Sequence, residues 1–375
     1  MDTSSGKHSR IEDQTSRSGG RFVVAVSLLL ILISAALSIA SRTVSGFAQW
    51  YAVTVYPILQ SGIGHLTGFI PFSVSEALCI LLPFLIIADL IVNRHKLRRS
   101  AKHLLLLISV LFFLYSACCG VNYYRDPFVS ADDYSQAKFT EKQLYEFCEH
   151  AVSQLSDCYD ESGSPVEDYP GWNELSQTAR ESMISLSRDY DSLEGFYPRP
   201  KSIRILAPFF SMMGVSGIYS PFTVEANVNG EMEGMEKPFS ACHELSHLRG
   251  YMNEGEANYI GWLACISSQE PAFRRSGWLI AWSYAGSSLW KTSPDDYSKL
   301  REKLPDGAVR ELESNHIFWS SRENRASEIQ DHINDAYLRS NGQDEGIVTY
   351  NHLTTLMLMW YYSGSQSSSA GHSDS

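Results

Sequence analysis

At 375 residues the chain is long enough for more than one structural unit, and it is 44% hydrophobic with a net charge of −12. The charge is unevenly spread: residues 1–120 hold 10 Lys+Arg and 5 Asp+Glu, leaving 20 basic and 37 acidic residues, a net of −17, in 121–375. Such acidity argues against nucleic acid and anionic lipid headgroups as partners of the second part.

Taken in chain order, residues 1–21 read as a basic tail with Lys7, Arg10, Arg17 and Arg21. Phe22 to Ser41 is then twenty residues without a charge, enough to cross a bilayer as a helix. Further apolar runs follow, so a cleaved signal peptide is a poor reading of this one. Ala77–Val92 and Leu104–Val121 are the second and third runs; Pro83 is tolerable inside a membrane helix, and Asp89 falls near its end. Between the first and second runs, 43–75 carries no charge but is divided by Gly and Pro. It reads as an interfacial segment with Trp50, Tyr51 and Tyr56 at headgroup level, or alternatively as a fourth crossing. Arg94, Lys96, Arg98, Arg99 and Lys102 crowd the loop between the second and third runs. The positive-inside rule puts that loop and the tail in the cytoplasm, and three crossings then put the chain after Val121 outside it.

In the second part, Glu141–Leu155 and Leu175–Tyr190 have helical spacing, and Ser202–Leu206 alternates weakly as a strand would. Cys148 and Cys158 are placed to form a disulfide if the domain meets an oxidising space, while Cys242 and Cys265 read as buried thiols. Gly217–Asn229 looks extended. It is either an ordinary hairpin or, over 221–229, an edge strand that binds substrate by strand addition, with Thr223, Glu225 and Asn227 as contacts.

Next comes FSACHELSHLRGYMNEGEAN, residues 239–258, which contains H-E-x-x-H. On a helix His243 and His247 share a face and can reach one cation. Glu244 lies about 100° round the helix, where it can touch a water on the cation's open side as general base. Gly250 can end the helix in a left-handed turn, returning the following carboxylates to the metal. Glu254 is the preferred third ligand, with Asn258 one turn on to support it; Glu256 is the alternative. Two His and one carboxylate suit zinc, and would also accept iron. An oxyanion stabiliser is open among Tyr337, Tyr350, His316 and His352. Glu254–Ser268, Ala272–Trp290, Asp295–Leu304, Val309–Asn341 and Tyr350–Tyr362 complete a series of helices, and Ser363–Ser375 reads as disordered.

HELSHLRGYMNEGEAN, preceded by PFTVEANVN and three apolar runs, resembles an uncharacterised bacterial family of multi-pass membrane proteins with an H-E-x-x-H site. The resemblance runs from the first apolar run to about Tyr362. More distantly the motif is similar to gluzincin membrane peptidases, the CAAX-prenyl endopeptidase and heat-shock peptidase group. There the first Glu of E-x-x-x-D is a ligand; the matching position is Glu254, with Asn258 in place of Asp and a shorter gap after the second histidine.

The expected fold is therefore mainly α with a small β element. Three transmembrane helices (about 22–41, 77–92 and 104–121) precede a zincin-like extracytoplasmic domain over 122–362. The function expected is that of a membrane-anchored zinc metallopeptidase acting on peptide or protein outside the cytoplasm. A metal-stabilised sensor or scaffold, and a hydrolase of non-peptide amides, stay open beside it.

Overall fold

A computed structural model describes residues 4–322 and 350–369 of the chain. The first part comprises helices α1 (Ser4–Thr43), α2 (Phe47–Thr54), α3 (Tyr56–Gly68), α4 (Val74–Val92) and α5 (Leu97–Cys118). Three segments are long and apolar enough to cross a membrane: Gly19–Thr43, Val74–Val92 and Leu97–Tyr124. Each is longer than its apolar run, the third by ten residues, because the helical chain continues into the flanks. α1 and α5 pack together. Three of their buried serines bond within their own helices, Ser27 and Ser34 to carbonyls four residues back in α1 and Ser109 likewise in α5. α4 has no buried residue.

The segment 43–75 forms two short helices, and neither is a candidate span. Two of its aromatics are not placed as the sequence suggested. Tyr51 and Tyr56 are buried in protein: Tyr51 Oη donates to Ala117 O (2.9 Å) and Tyr56 Oη to Leu248 O (2.7 Å). Their hydroxyls satisfy helix-end carbonyls that would otherwise be buried without a donor. Trp50 is exposed.

The second part continues with α6 (Ala131–Gln136), α7 (Glu141–Ser156), α8 (Trp172–Leu186), β1 (Lys201–Ile203), α9 (Ala207–Met212), β2 (Gly217–Ser220) and β3 (Glu225–Asn229). It ends with α10 (Glu236–Leu248), α11 (Glu254–Ile266), α12 (Pro271–Ala281), α13 (Ser287–Thr292), α14 (Pro294–Arg301), α15 (Asp306–Ser320) and α16 (Tyr350–Ser369). The Ser-rich end expected to be disordered is helical as far as Ser369, prolonging the docked apolar turns of α16. The core is built on α10 and α11, flanked by α8 and α12. Trp262 of α11 sits fully buried and edge-on to Phe147, Trp278 and Trp360. Trp278 and Trp282 pack inward. Cys148 and Cys158 are both free thiols, not a disulfide; Cys158 Sγ donates to Gln154 O within its own turn. Cys242 and Cys265 are buried, as read.

The sheet is mixed, in the order β1-β3-β2, with β1 parallel and β2 antiparallel to β3. The extended stretch is thus a hairpin whose second strand is central. β3 is paired on both sides and wholly buried, which leaves no free edge on 225–229 for strand addition; the outer strands are β1 and β2.

Thr223, Glu225 and Asn227 have a different task from substrate contact: their side chains hold the start of α4. Glu225 accepts from Val74 N (3.2 Å), Ser75 N (2.8 Å) and Ser75 Oγ (2.8 Å); Ser75 Oγ meets Thr223 Oγ1 at 2.6 Å, and Ser73 Oγ donates to Asn227 Oδ1 at 2.6 Å. A carboxylate suits this place, where free N–H groups and the helix dipole both favour negative charge. Lys201 pairs with Glu225 (2.8 Å), and its ammonium also lies within hydrogen-bond distance of the carbonyls of Thr67, Ile70 and Phe72, which share its other two protons. Glu76, in the first turn of α4, accepts from the backbone N–H groups of 204–206. Because the Lys201–Glu225 pair is nearly inaccessible, removing one charge strands the other. Glu225→Gln should destabilise the full chain by about 3–5 kcal/mol in a thermal melt in detergent, and an unchanged melting temperature would remove this tie from the account.

Candidate metal centre

α10 carries His243, Glu244 and His247, and its end is set by Gly250 at φ +95°. Gly250 N–H donates to His247 O (2.8 Å) and Tyr251 N–H to Ser246 O (3.1 Å), the paired bonds of a Schellman turn. Asn253 then caps α11, its Oδ1 accepting from Glu256 N (3.1 Å), so that Glu254 is the first helical residue. α11 returns close against α10. A Cβ at Gly261 would stand 2.9 Å from His243 N, so a larger residue there would force the two helices apart.

The turn brings three donors together. His243 Nε2 is 3.4 Å from Glu254 Oε2, and His247 Nε2 is 3.6 Å from Glu254 Oε1. Donor atoms of His243, His247 and Glu254 all lie within 4.8 Å of one another, and this is the one such group among the described residues. His247 Nδ1 donates to Tyr251 O at 2.7 Å, which directs the Nε2 lone pair towards the cluster. The donor set, two imidazoles and a carboxylate held on rigid helices, fits a tetrahedral cation with one position open.

Glu256 points elsewhere: it is buried and accepts from Phe128 N–H. Asn258 is half-buried and makes no hydrogen bond to the three donor side chains. The support expected of it comes instead from the Tyr251 carbonyl.

Glu244 stands beside the cluster, its Oε1 4.0 Å from His243 Nε2. Tyr219 N–H of β2 donates to its carboxylate, while Oε2 is buried with no partner. Burial pushes the Glu244 carboxyl up to about 7, partly offset by the two histidines. Burial alone would lower His247, but the Glu254 carboxylate outweighs it and raises the imidazole to about 9. For Glu254 the histidines overcome burial and hold the carboxyl well below the usual carboxylate range. Burial raises Glu256 to about 7 against the pull of the Phe128 N–H and Arg125.

The cluster opens into a cleft of about 680 Å³. Of the four residues named from sequence as oxyanion stabilisers, the two that are described, His316 and His352, do not line it. His316 borders another cavity, and His352 packs on Gly255 and Tyr134. Tyr337 and the side chain of Tyr350 lie outside the described residues. Tyr115 and Tyr123 do line it. They sit at the end of the third apolar run, where aromatics read most simply as a membrane-interface belt, so their spacing gave no sign of the site.

The chain belongs to a protein family described as a protein of unknown function (DUF3810), which matches residues 51–358. That span takes in α4, α5, the sheet and the whole cluster. No curated protein and no solved structure matches the chain.

Two outcomes are expected of the purified full chain. Glu254→Gln should lose bound metal while Glu256→Gln keeps it, as read by metal content; the reverse result would move the third ligand to Glu256. His247 is protonated at neutral pH while the cluster is empty of metal, and a ligating imidazole must be neutral. Zinc titrated near pH 7.5 in weak buffer should therefore release at least about one proton per ion; zinc bound without acidification would contradict the His247–Glu254 coupling.

Proposed function

We propose that this chain is a multi-pass membrane zinc metallopeptidase whose zincin-like domain lies outside the cytoplasm. The observation that carries the reading is the convergence of His243, His247 and Glu254 with Glu244 beside them, in a cleft bordered by an outer strand. The basic loop at 93–103 and the acidity after residue 120 support the orientation.

In this reading His243 Nε2, His247 Nε2 and a Glu254 oxygen hold the ion. Zinc, when bound, supplies Lewis acidity and makes water acidic near neutral pH. Glu244, whose Oε1 faces the cluster, takes a proton from water and later delivers it to the leaving amide nitrogen. The water oxygen forms the new C–O bond and the C–N bond breaks, giving a carboxylate and an amine. A carboxyl held near 7 is matched to both halves of that transfer at neutral pH. β2, the outer strand that lines the cleft, is where an extended peptide can add to the sheet. Its Tyr219 N–H already reaches Glu244, tying the strand to the base.

Glu244→Gln should leave zinc content unchanged and slow hydrolysis of an unfolded protein substrate by about 10²–10⁴-fold. Equal turnover by wild type and variant would remove Glu244 as base.

A further inference from the structure

The cleft is built partly from a membrane helix. One wall is β2 with Phe222 and Phe209, and the facing wall is Tyr115 and Cys119 at the end of α5. From Cys119 back to Tyr115 the cleft follows α5 for about 6 Å, at roughly 1.5 Å per residue, into the segment apolar enough to span a bilayer. Tyr219 of β2 donates from Oη to Cys118 O at 3.0 Å, and Cys119 Sγ lies 3.5 Å from Met252 Sδ. The site is thus fixed at the lipid surface with no intervening stalk.

Two further features agree. Phe209, Ile218 and Phe222 at the cleft are 53%, 45% and 40% exposed, an apolar mouth continuous with a helix that meets lipid. α4 begins on the sheet, yet the side-chain hydrogen bonds between α4 and α5 lie at their connected end, near Asp89, Ser100 and His103. No residue of α4 is buried, so its length is not packed into the protein beside α5.

Resting on the hydrolase reading, we propose that the substrate is a membrane-tethered polypeptide. It enters from the bilayer along α5 and is cut within roughly five residues of the lipid surface, at about 3.3 Å per extended residue. A strand laid on β2 beside the end of α5 has one end directed at the bilayer, which suits a chain that emerges there.

The test uses the full chain in liposomes with unfolded reporters of mixed sequence, either free or joined to a single transmembrane helix by spacers of graded length, and Glu244→Gln beside wild type. The anchored reporter should be cut at least tenfold faster than the free one, with new ends close to the anchor. Equal rates, or cuts far from the anchor, would overturn the tether and leave the peptidase standing. No Glu244-dependent cut in either reporter would overturn the hydrolase reading itself. A second measurement does not use activity: a nitroxide at Ile218→Cys, in a Cys79→Ser background because Cys79 is the exposed native thiol. In liposomes it should collide more with lipid-dissolved oxygen than with an aqueous nickel chelate. A water-type response, like that of a label at the exposed Trp290, would overturn the membrane-facing mouth.

Discussion

Three donors must meet although one of them lies seven residues beyond the second histidine, and the fold of this region answers to that constraint. On a straight helix Glu254 would stand about 10 Å further along the axis than His247, too far for a shared ion. The helix therefore has to stop and turn back. Gly250 supplies the left-handed residue, Asn253 starts the return helix, and Gly261 lets that helix close on His243.

Stopping a helix inside a protein leaves carbonyls to be satisfied, and here the donors come from the membrane-proximal part. Tyr56 of α3 caps Leu248 O, and Arg125, just after α5, donates to Arg249 O. The same Tyr56 hydroxyl lies 3.0 Å from that of Tyr219, whose backbone N–H reaches Glu244. The need to pair buried polar groups thus couples α3, β2 and the motif helix into one unit. At the far side of the sheet Glu225 performs the same service for the start of α4.

Much of this was legible in the sequence. The three apolar runs, the helical phase of His243 and His247, the turn at Gly250 and the hairpin over 217–229 all rest on local rules of length, periodicity and backbone freedom. The preference for Glu254 over Glu256 rests on Asn258 one turn on and on helical phase; the two side chains do face apart, while Asn258 makes no bond to the donors. Polar residues were read less well. Thr223, Glu225 and Asn227 look like substrate contacts when the only known neighbour is the motif; the helix they bind begins about 150 residues earlier. Tyr51 and Tyr56 look like headgroup anchors until the carbonyls they cap are known.

What the sequence by itself determined, then, is where the chain is apolar enough to span, where it is helical, and which donors share a face, because each depends on neighbours within a few residues. Tertiary structure alone decided that β3 is central and β2 outermost, that a backbone carbonyl rather than Asn258 holds His247, and that the end of α5 forms a wall of the cleft. Each of these is a pairing between distant segments, chosen by which buried donor finds which acceptor, and no local pattern encodes that choice.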